Sequence, residues 1–466
     1  MKLEKFFNIL AILLIIFSLC FKIYTLNNSI VGFDEAGTAY IANEMSSGKM
    51  LYLDYFDHKS PFMHYALSLA FKLIEPTQLS IKLIALFFDI FLLICIYLVA
   101  RLLVLRYALL SAAIYSVLNL NLSLNAEVIV AAFGLLATLF YTKSITGKNT
   151  QLNLFIAGLL IAVAIWFKQP AAVFYLAIIA HLVYLKYQNQ ITKSELIRNI
   201  AIFTAGVLAL SIPLLVYFLY KVGFYFLYAI LKFNTEFTGS SSRIIQMGKG
   251  LNILLFNFGF MIAVILASIT SIMQKKEKIS SLFLIICLFT IGFIFFGQEI
   301  FYQHFFQLAP FIIILTAYSL TYLDEKARTL AIIILLIGAL SISLVALEDK
   351  AREIKSGQIE KYDEVFMYLE NEVPKNASFF ADNPIYTFVG QYKLNQPLVG
   401  CAPSFNSVFN YSFICNLSYL VLTHRQNYLS EDEKSCIKDN YVLLKRFDNV
   451  GESFVEIWKL KNSTND

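Results

Sequence analysis

Long apolar runs, each near the length that crosses a bilayer and most closed by a short polar turn, constrain this chain more than any other feature. A hydrocarbon core of roughly 30 Å needs about 20 apolar residues in helical form. Inside it, only helices and closed barrels satisfy their own backbone polar groups. Eleven runs are read, near residues 6–26, 79–100, 107–120, 126–142, 152–167, 170–186, 199–220, 251–273, 280–297, 305–323 and 329–347. The balance of residues agrees, since 58% of the 466 are hydrophobic and 15% charged, against roughly 25% charged in a soluble domain. The expected class is an α-helical polytopic membrane protein with about eleven transmembrane helices.

The formal net charge of +5 is scattered through short loops and forms no basic stripe, so no nucleic-acid partner is expected. Those cations act as topology signals instead. Lys2 and Lys5 precede the first run, and alternate loops carry Arg101 and Arg106, Lys143 and Lys148, Lys186, Lys193 and Arg198, Lys275, Lys276 and Lys278, then Lys326 and Arg328. This pattern puts the N-terminus in the cytoplasm, makes the first run a signal anchor, and leaves the C-terminus outside. FMHYALSLAFKLI, after Pro61, has thirteen residues and reaches only about 20 Å as a helix. It is expected to lie at the interface, because a span here would turn the Arg101 and Arg106 loop outward.

Residues 27–78 then form the first external loop of a membrane catalytic domain over 1–347, and residues 348–466 an extracytoplasmic C-terminal domain. In the latter, ASFFAD, SYLVLTH, YVLLKRF and SFVEIWKL are β-rich runs of strand length, and GQIEKYDEVFMYLENEV is helix-like. A small α/β or α+β domain follows. Its cysteines, Cys401, Cys415 and Cys436, allow one disulfide with one thiol left over, and their spacing does not choose the pair. Cys20, Cys95 and Cys287 lie within spans and read as packing residues.

The first loop is a polar island. FDEAGTAYIANEMSSGKMLYLDYFDHKSPFMHY, residues 33–65, crowds Asp34, Glu35, Asp54, Asp57, His58 and Lys59 between apolar segments, and ionisable groups so placed usually serve chemistry. Plainer readings stand beside the functional ones. Asp34 and Glu35 suit a helix N-terminus, while Asp54, Asp57 and Lys59 suit a solvated loop. Lys168 suits a snorkelling span end, Glu127 an ordinary loop acid, and His304 an aromatic belt with Tyr302, Phe305 and Phe306. The 221–250 loop, with Arg243, Lys249 and a GSSS stretch, reads as flexible and partly basic. No nucleotide loop, zinc-type cysteine spacing or metalloprotease helix is present. The suggestive charges sit at external span ends and not at the midplane where transporters place theirs.

The first-loop run resembles that of bacterial glycosyltransferases related to protein O-mannosyltransferases and to the lipid A aminoarabinose transferase, which are glycosyltransferase family 39-like enzymes of the GT-C fold. Asp34 and Glu35 match its acidic pair, Ser47 and Gly48 its SG element, and Lys59, Ser60 and Pro61 its Lys-Pro-Pro-like element, with Ser60 departing from the first proline. Asn121–Glu127, Lys168–Ala171 and FYQHFFQLAP around His304 are similar to later elements. The resemblance implies a GT-C enzyme that moves a sugar, hexosyl or pentosyl, from a polyprenyl-phosphate donor. The acceptor is an external glycolipid, surface glycan or protein, and the setting a bacterial plasma membrane.

On this resemblance Asp34 is the base of an inverting displacement, Glu35 orients it or the acceptor, and Glu127 is a second acidic position. His58 and Lys59 are the first candidates for donor phosphate, followed by Lys168 and His304. Arg243 is added from the basic loop. Whether a divalent metal ion joins Asp34 or Glu127 stays open. The alternative is a non-catalytic lipid-phosphate carrier or flippase, which needs cations for phosphate but has little use for a base at Asp34.

Overall fold

The structure, a computed structural model, describes residues 2–26, 30–147, 149–232, 243–275, 277–297, 300–390, 412–424, 429–450 and 453–461. Every expected apolar run falls on helix. These helices are Lys2–Thr25, Gln78–Val104, Ala108–Leu118, Ala126–Thr146, Thr150–Phe167, Ala172–Tyr187, Lys193–Val222, Arg243–Lys275, Lys278–Phe296, Ala309–Ser319 and Glu325–Lys355. Among the described residues, nine helical stretches are long and apolar enough to cross a membrane. The number differs from eleven for two physical reasons. Gln78–Leu118 runs through a 3-10 turn at Leu105–Tyr107 as one stretch of 41 residues, and Ala309–Tyr322 is short for a bilayer. Phe62–Phe71, at ten residues, is shorter still.

Contacts divide the chain into two compact units, Met1–Tyr24 with Ala85–Leu347, and Thr25–Ile84 with Glu348–Asp466. In the first unit the Thr150–Phe167 and Lys193–Val222 helices cross backbone to backbone. A Cβ at Gly158 would stand 2.1 Å from the Phe203 carbonyl oxygen, and one at Gly206 2.2 Å from that of Phe155, so both positions need glycine. Two charges also lie within this bundle. Lys22 and Asp89 form a buried ion pair, and Asp89 Oδ1 accepts from the Tyr115 hydroxyl at 2.8 Å and from Asn119 Nδ2 at 2.6 Å.

The second unit carries a four-stranded sheet. Its strands are ordered Phe379–Ala381, Tyr419–Leu422, Ser453–Leu460, Tyr441–Val450, with the first pair parallel and the others antiparallel. Tyr419–Leu422 is buried at every position, which explains why its sequence reads as an unbroken apolar run and not an alternation. The Gln358–Glu372 helix packs on Tyr441–Val450. Cys415 pairs with Cys436, and Cys401 lies outside the described residues. The first loop folds into this same unit. The Pro384–Gly390 helix packs on Phe33–Ser46, and the Phe71 and Phe388 rings stack with centroids 6.2 Å apart.

Candidate active site

The first-loop cluster begins at the Phe33–Ser46 helix. Glu35 turns back so that Oε2 accepts the Gly32 N–H at 2.8 Å, satisfying one of the donors a helix start leaves unpaired. Asp34 does the opposite. Its side chain is 66% exposed and reaches Lys59 Nζ at 3.5 Å. The helix ends at Ser47, and Gly48 follows at φ +101°, a conformation that costs glycine nothing and other residues much. Beyond it, Asp54 Oδ2 accepts from Met50 N at 2.7 Å. Tyr52, at φ +68°, donates its hydroxyl to the Lys59 carbonyl at 2.5 Å, anchoring the turn that presents His58 and Lys59.

At the centre stands Asp57, whose side chain is 0% exposed. Its Oδ2 lies 3.0 Å from His64 Nε2 and 3.7 Å from Lys59 Nζ, and its Oδ1 lies 3.3 Å from His58 Nδ1 and accepts from Lys59 N at 3.2 Å. Burial alone would push this carboxyl up. Lys59, the His64 hydrogen bond, and the charges of His64 and His58 outweigh it and hold the group well below the usual carboxylate range. The solvated-loop reading therefore fails at Asp57. Lys59, 28% exposed, also approaches Thr38 Oγ1 at 3.5 Å. One ammonium is thus tethered by a buried acid and a hydroxyl on one side while an exposed acid touches it on the other.

A second cluster forms in the other unit. Glu127, 3% exposed and in the first turn of Ala126–Thr146, lies 2.5 Å from Lys168 Nζ. Lys168 leaves the Thr150–Phe167 helix in an extended conformation, ahead of the 3-10 turn Gln169–Ala171. His304 sits on the 3-10 turn Tyr302–Gln307, where Nδ1 accepts from Phe301 N at 3.4 Å. Burial first, then Lys168 and Lys249, push its pKa down to about 4 against the opposing pull of Glu127. At neutral pH this imidazole offers hydrogen bonds and no charge.

Of the expected site residues, the structure brings Asp34, His58 and Lys59 together in one unit, and Glu127, Lys168 and His304 in the other. Glu35 serves as a helix cap. Arg243 donates to the carbonyls of Phe295 and Gly297 at the end of the Lys278–Phe296 helix, where a cation suits the helix dipole. Sequence reasoning missed His64, because a lone histidine in an apolar helix reads as packing. It also undervalued Asp57, whose neighbours on both faces come from separate elements. Among the described residues no three His, Cys, Asp or Glu side chains gather as a metal-holding group.

Residues 58–217 match a family model described as dolichyl-phosphate-mannose-protein mannosyltransferase. No curated protein matches the chain significantly. Among solved structures, the chain is similar to ArnT from Cupriavidus metallidurans in the apo state, with TM-score 0.69, 12% identity, and 96% of this chain and 97% of that one covered. It is similar to the same protein bound to undecaprenyl phosphate, with TM-score 0.67, 12% identity, and 97% and 98% covered. It also resembles the Archaeoglobus fulgidus oligosaccharyltransferase AglB in complex with an inhibitory peptide and a dolichol-phosphate, with TM-score 0.55, 11% identity, and 96% and 74% covered. Multiple apolar helices and this shared architecture describe an integral membrane protein. The chain has the GT-C fold of the glycosyltransferases related to mannosyltransferases and ArnT, with residues 58–217 carrying the mannosyltransferase family pattern.

Proposed function

We propose that this protein transfers a hexosyl or pentosyl group from a polyprenyl-phosphate donor to a hydroxyl of an extracytoplasmic lipid, glycan or protein. The observation that carries the reading is Lys59, tethered by buried Asp57 and Thr38 and touched by exposed Asp34. Donor binding draws Asp34 off the ammonium without releasing Lys59, because Asp57 and Thr38 still hold it. The undecaprenyl phosphate in one ArnT structure supports a lipid-phosphate donor.

In the reaction, the acceptor oxygen attacks the anomeric carbon as the bond to the phosphate oxygen breaks. The hydroxyl proton passes to Asp34, and the lipid phosphate leaves with the bonding pair. Attack opposite the leaving group inverts the anomeric centre. Lys59 and His58 stabilise the charge gathering on the phosphate, a role suited to a compact cation. Within the other unit, Glu127 holds Lys168, and Lys168 and neutral His304 are hydrogen-bond donors of the kind a phosphate takes. Arg243, spent on a helix end, takes no part. The membrane is the bacterial inner membrane, with the N-terminus cytoplasmic.

The test is transfer of label from a panel of radiolabelled polyprenyl-phosphate sugars into a membrane extract. Transfer from one donor supports the enzyme. Binding of these lipids with no transfer from any of them overturns it in favour of a carrier.

A further inference from the structure

His64 stands on the Phe62–Phe71 helix with its side chain fully buried, on the face that carries Leu67 and Phe71. Such neighbours suit a packing residue, yet the imidazole is bonded to an acid. Nε2 lies 3.0 Å from Asp57 Oδ2. A carboxylate held ionised only accepts, so Nε2 carries the proton. Nδ1 is buried as well and, among the described residues, has no partner. An orphaned buried nitrogen is a standing cost that leucine or phenylalanine would not carry here. The hydrogen bond to Asp57 is therefore what the imidazole adds.

The distances around Asp57 show what that bond does. Oδ1 accepts from Lys59 N at 3.2 Å and lies 3.3 Å from His58 Nδ1. Oδ2 stands between His64 Nε2 at 3.0 Å and Lys59 Nζ at 3.7 Å. The imidazole is within hydrogen-bond reach of this oxygen and the ammonium is not. At 3.7 Å the acid attracts Lys59 by charge without taking a hydrogen bond from it. Remove the Nε2–H and a buried carboxylate oxygen loses its donor, with Lys59 Nζ the cation placed to replace it. Closing that gap aims an ammonium N–H at Asp57, and a lipid phosphate must then compete with a direct, charge-assisted bond.

We propose that His64 is a positioning residue for the donor phosphate: by donating to Asp57 Oδ2 it keeps Lys59 tethered to that acid by charge alone, so that the ammonium yields to the lipid phosphate. This rests on the glycosyltransferase reading above, with Lys59 as the cation for the phosphate. His64 acts through Asp57 and not on the substrate.

The experiment compares wild type with His64→Gln and His64→Asn, each alone and combined with Lys59→Ala. A glutamine amide nitrogen falls about where Nε2 stands, whereas asparagine, one carbon shorter, stops near Nδ1 and does not reach Asp57. Affinity for undecaprenyl phosphate, melting temperature, and the donor KM and kcat of the radiolabelled transfer assay are measured on each protein. His64→Asn should weaken undecaprenyl phosphate and raise donor KM about three- to tenfold, the scale of one hydrogen bond, with kcat close to wild type. His64→Gln should keep both values near wild type. With Lys59→Ala present, His64→Asn should add no further loss, because the group it acts through is gone. His64→Leu, which keeps the packing and also lacks the donor, repeats the comparison if asparagine destabilises the helix. Equal losses from glutamine and asparagine, a fall in kcat with donor KM unchanged, or the same KM loss with and without Lys59 would overturn the inference and leave the function standing. Failure of the wild type to bind undecaprenyl phosphate or to transfer from any donor overturns the function reading and this inference with it.

Discussion

Replacing Asp57 with asparagine removes a charge that three side chains share. The carboxylate is fully buried, with Lys59 Nζ at 3.7 Å, His58 Nδ1 at 3.3 Å and His64 Nε2 at 3.0 Å. Removing one partner of a buried pair costs about 3–5 kcal/mol. Lys59 is 28% exposed, so water stabilises the stranded ammonium in part and the expected cost falls to about 2–3 kcal/mol. For a unit of this size each kcal/mol is worth roughly 2–4 °C. Asp57→Asn should therefore lower the melting temperature in detergent by about 4–12 °C and raise the donor KM as Lys59 loses its tether. The pH dependence has a definite sign. A carboxyl held low in the folded state contributes stability that is present above its unfolded value, near 3.9, and is lost only as pH falls through the lower folded value. The carboxylate's contribution is thus fully in place from pH 5 to 8, and the deficit of the variant should persist across that range. A melting temperature within about 1 °C of wild type, together with a normal donor KM, would refute the assignment of Asp57 as the anchor.

Glu127 and Lys168 should behave as one unit: Lys168→Met alone strands a buried carboxylate and should cost about 3 kcal/mol, while adding Glu127→Leu should restore much of it. Additive losses in a thermal double-mutant cycle would contradict the pairing. Gly158→Ala should destabilise by about 1–3 kcal/mol because its Cβ meets the Phe203 carbonyl at 2.1 Å, whereas Gly259→Ala, with nothing within 4 Å, should not; equal melting temperatures would sink the close-crossing argument. For His304, folded pKa about 4 against an unfolded value near 6.5 means that the unfolded chain binds the extra proton in that window. Stability should fall as pH drops from about 6.5 towards 4, and His304→Gln should flatten part of that fall in pH-dependent melts; an unchanged slope would remove His304 as its source.

The helices were legible because bilayer length and apolar composition are properties of contiguous sequence. The four strands and the Gln358–Glu372 helix were legible for the same reason, since each satisfies its pattern within a few residues. What local pattern could not carry was contact between distant residues. Glu127 and Lys168 are 41 positions apart, and each alone looked like an ordinary span-end charge. Asp57 lay in a charged stretch that composition would put in water, and only the folding of Phe62–Phe71 behind it, bringing His64 to its oxygen, makes it a buried anchor. Asn119 gave no signal, because its amide is oriented by Asp89 on another helix. The Cys415–Cys436 pairing was undecidable from spacing, since it depends on how the Glu431–Asn440 helix packs near Ser412–Asn416.

The most direct test is Asp34→Asn in the labelled-donor transfer assay, with lipid binding and melting temperature measured on the same preparations. Asp34 is exposed, and Asp57 and Thr38 also hold the Lys59 ammonium, so the substitution should leave folding and donor binding close to wild type while abolishing transfer. Retained turnover in a folded, donor-binding Asp34→Asn protein would contradict its role as the base.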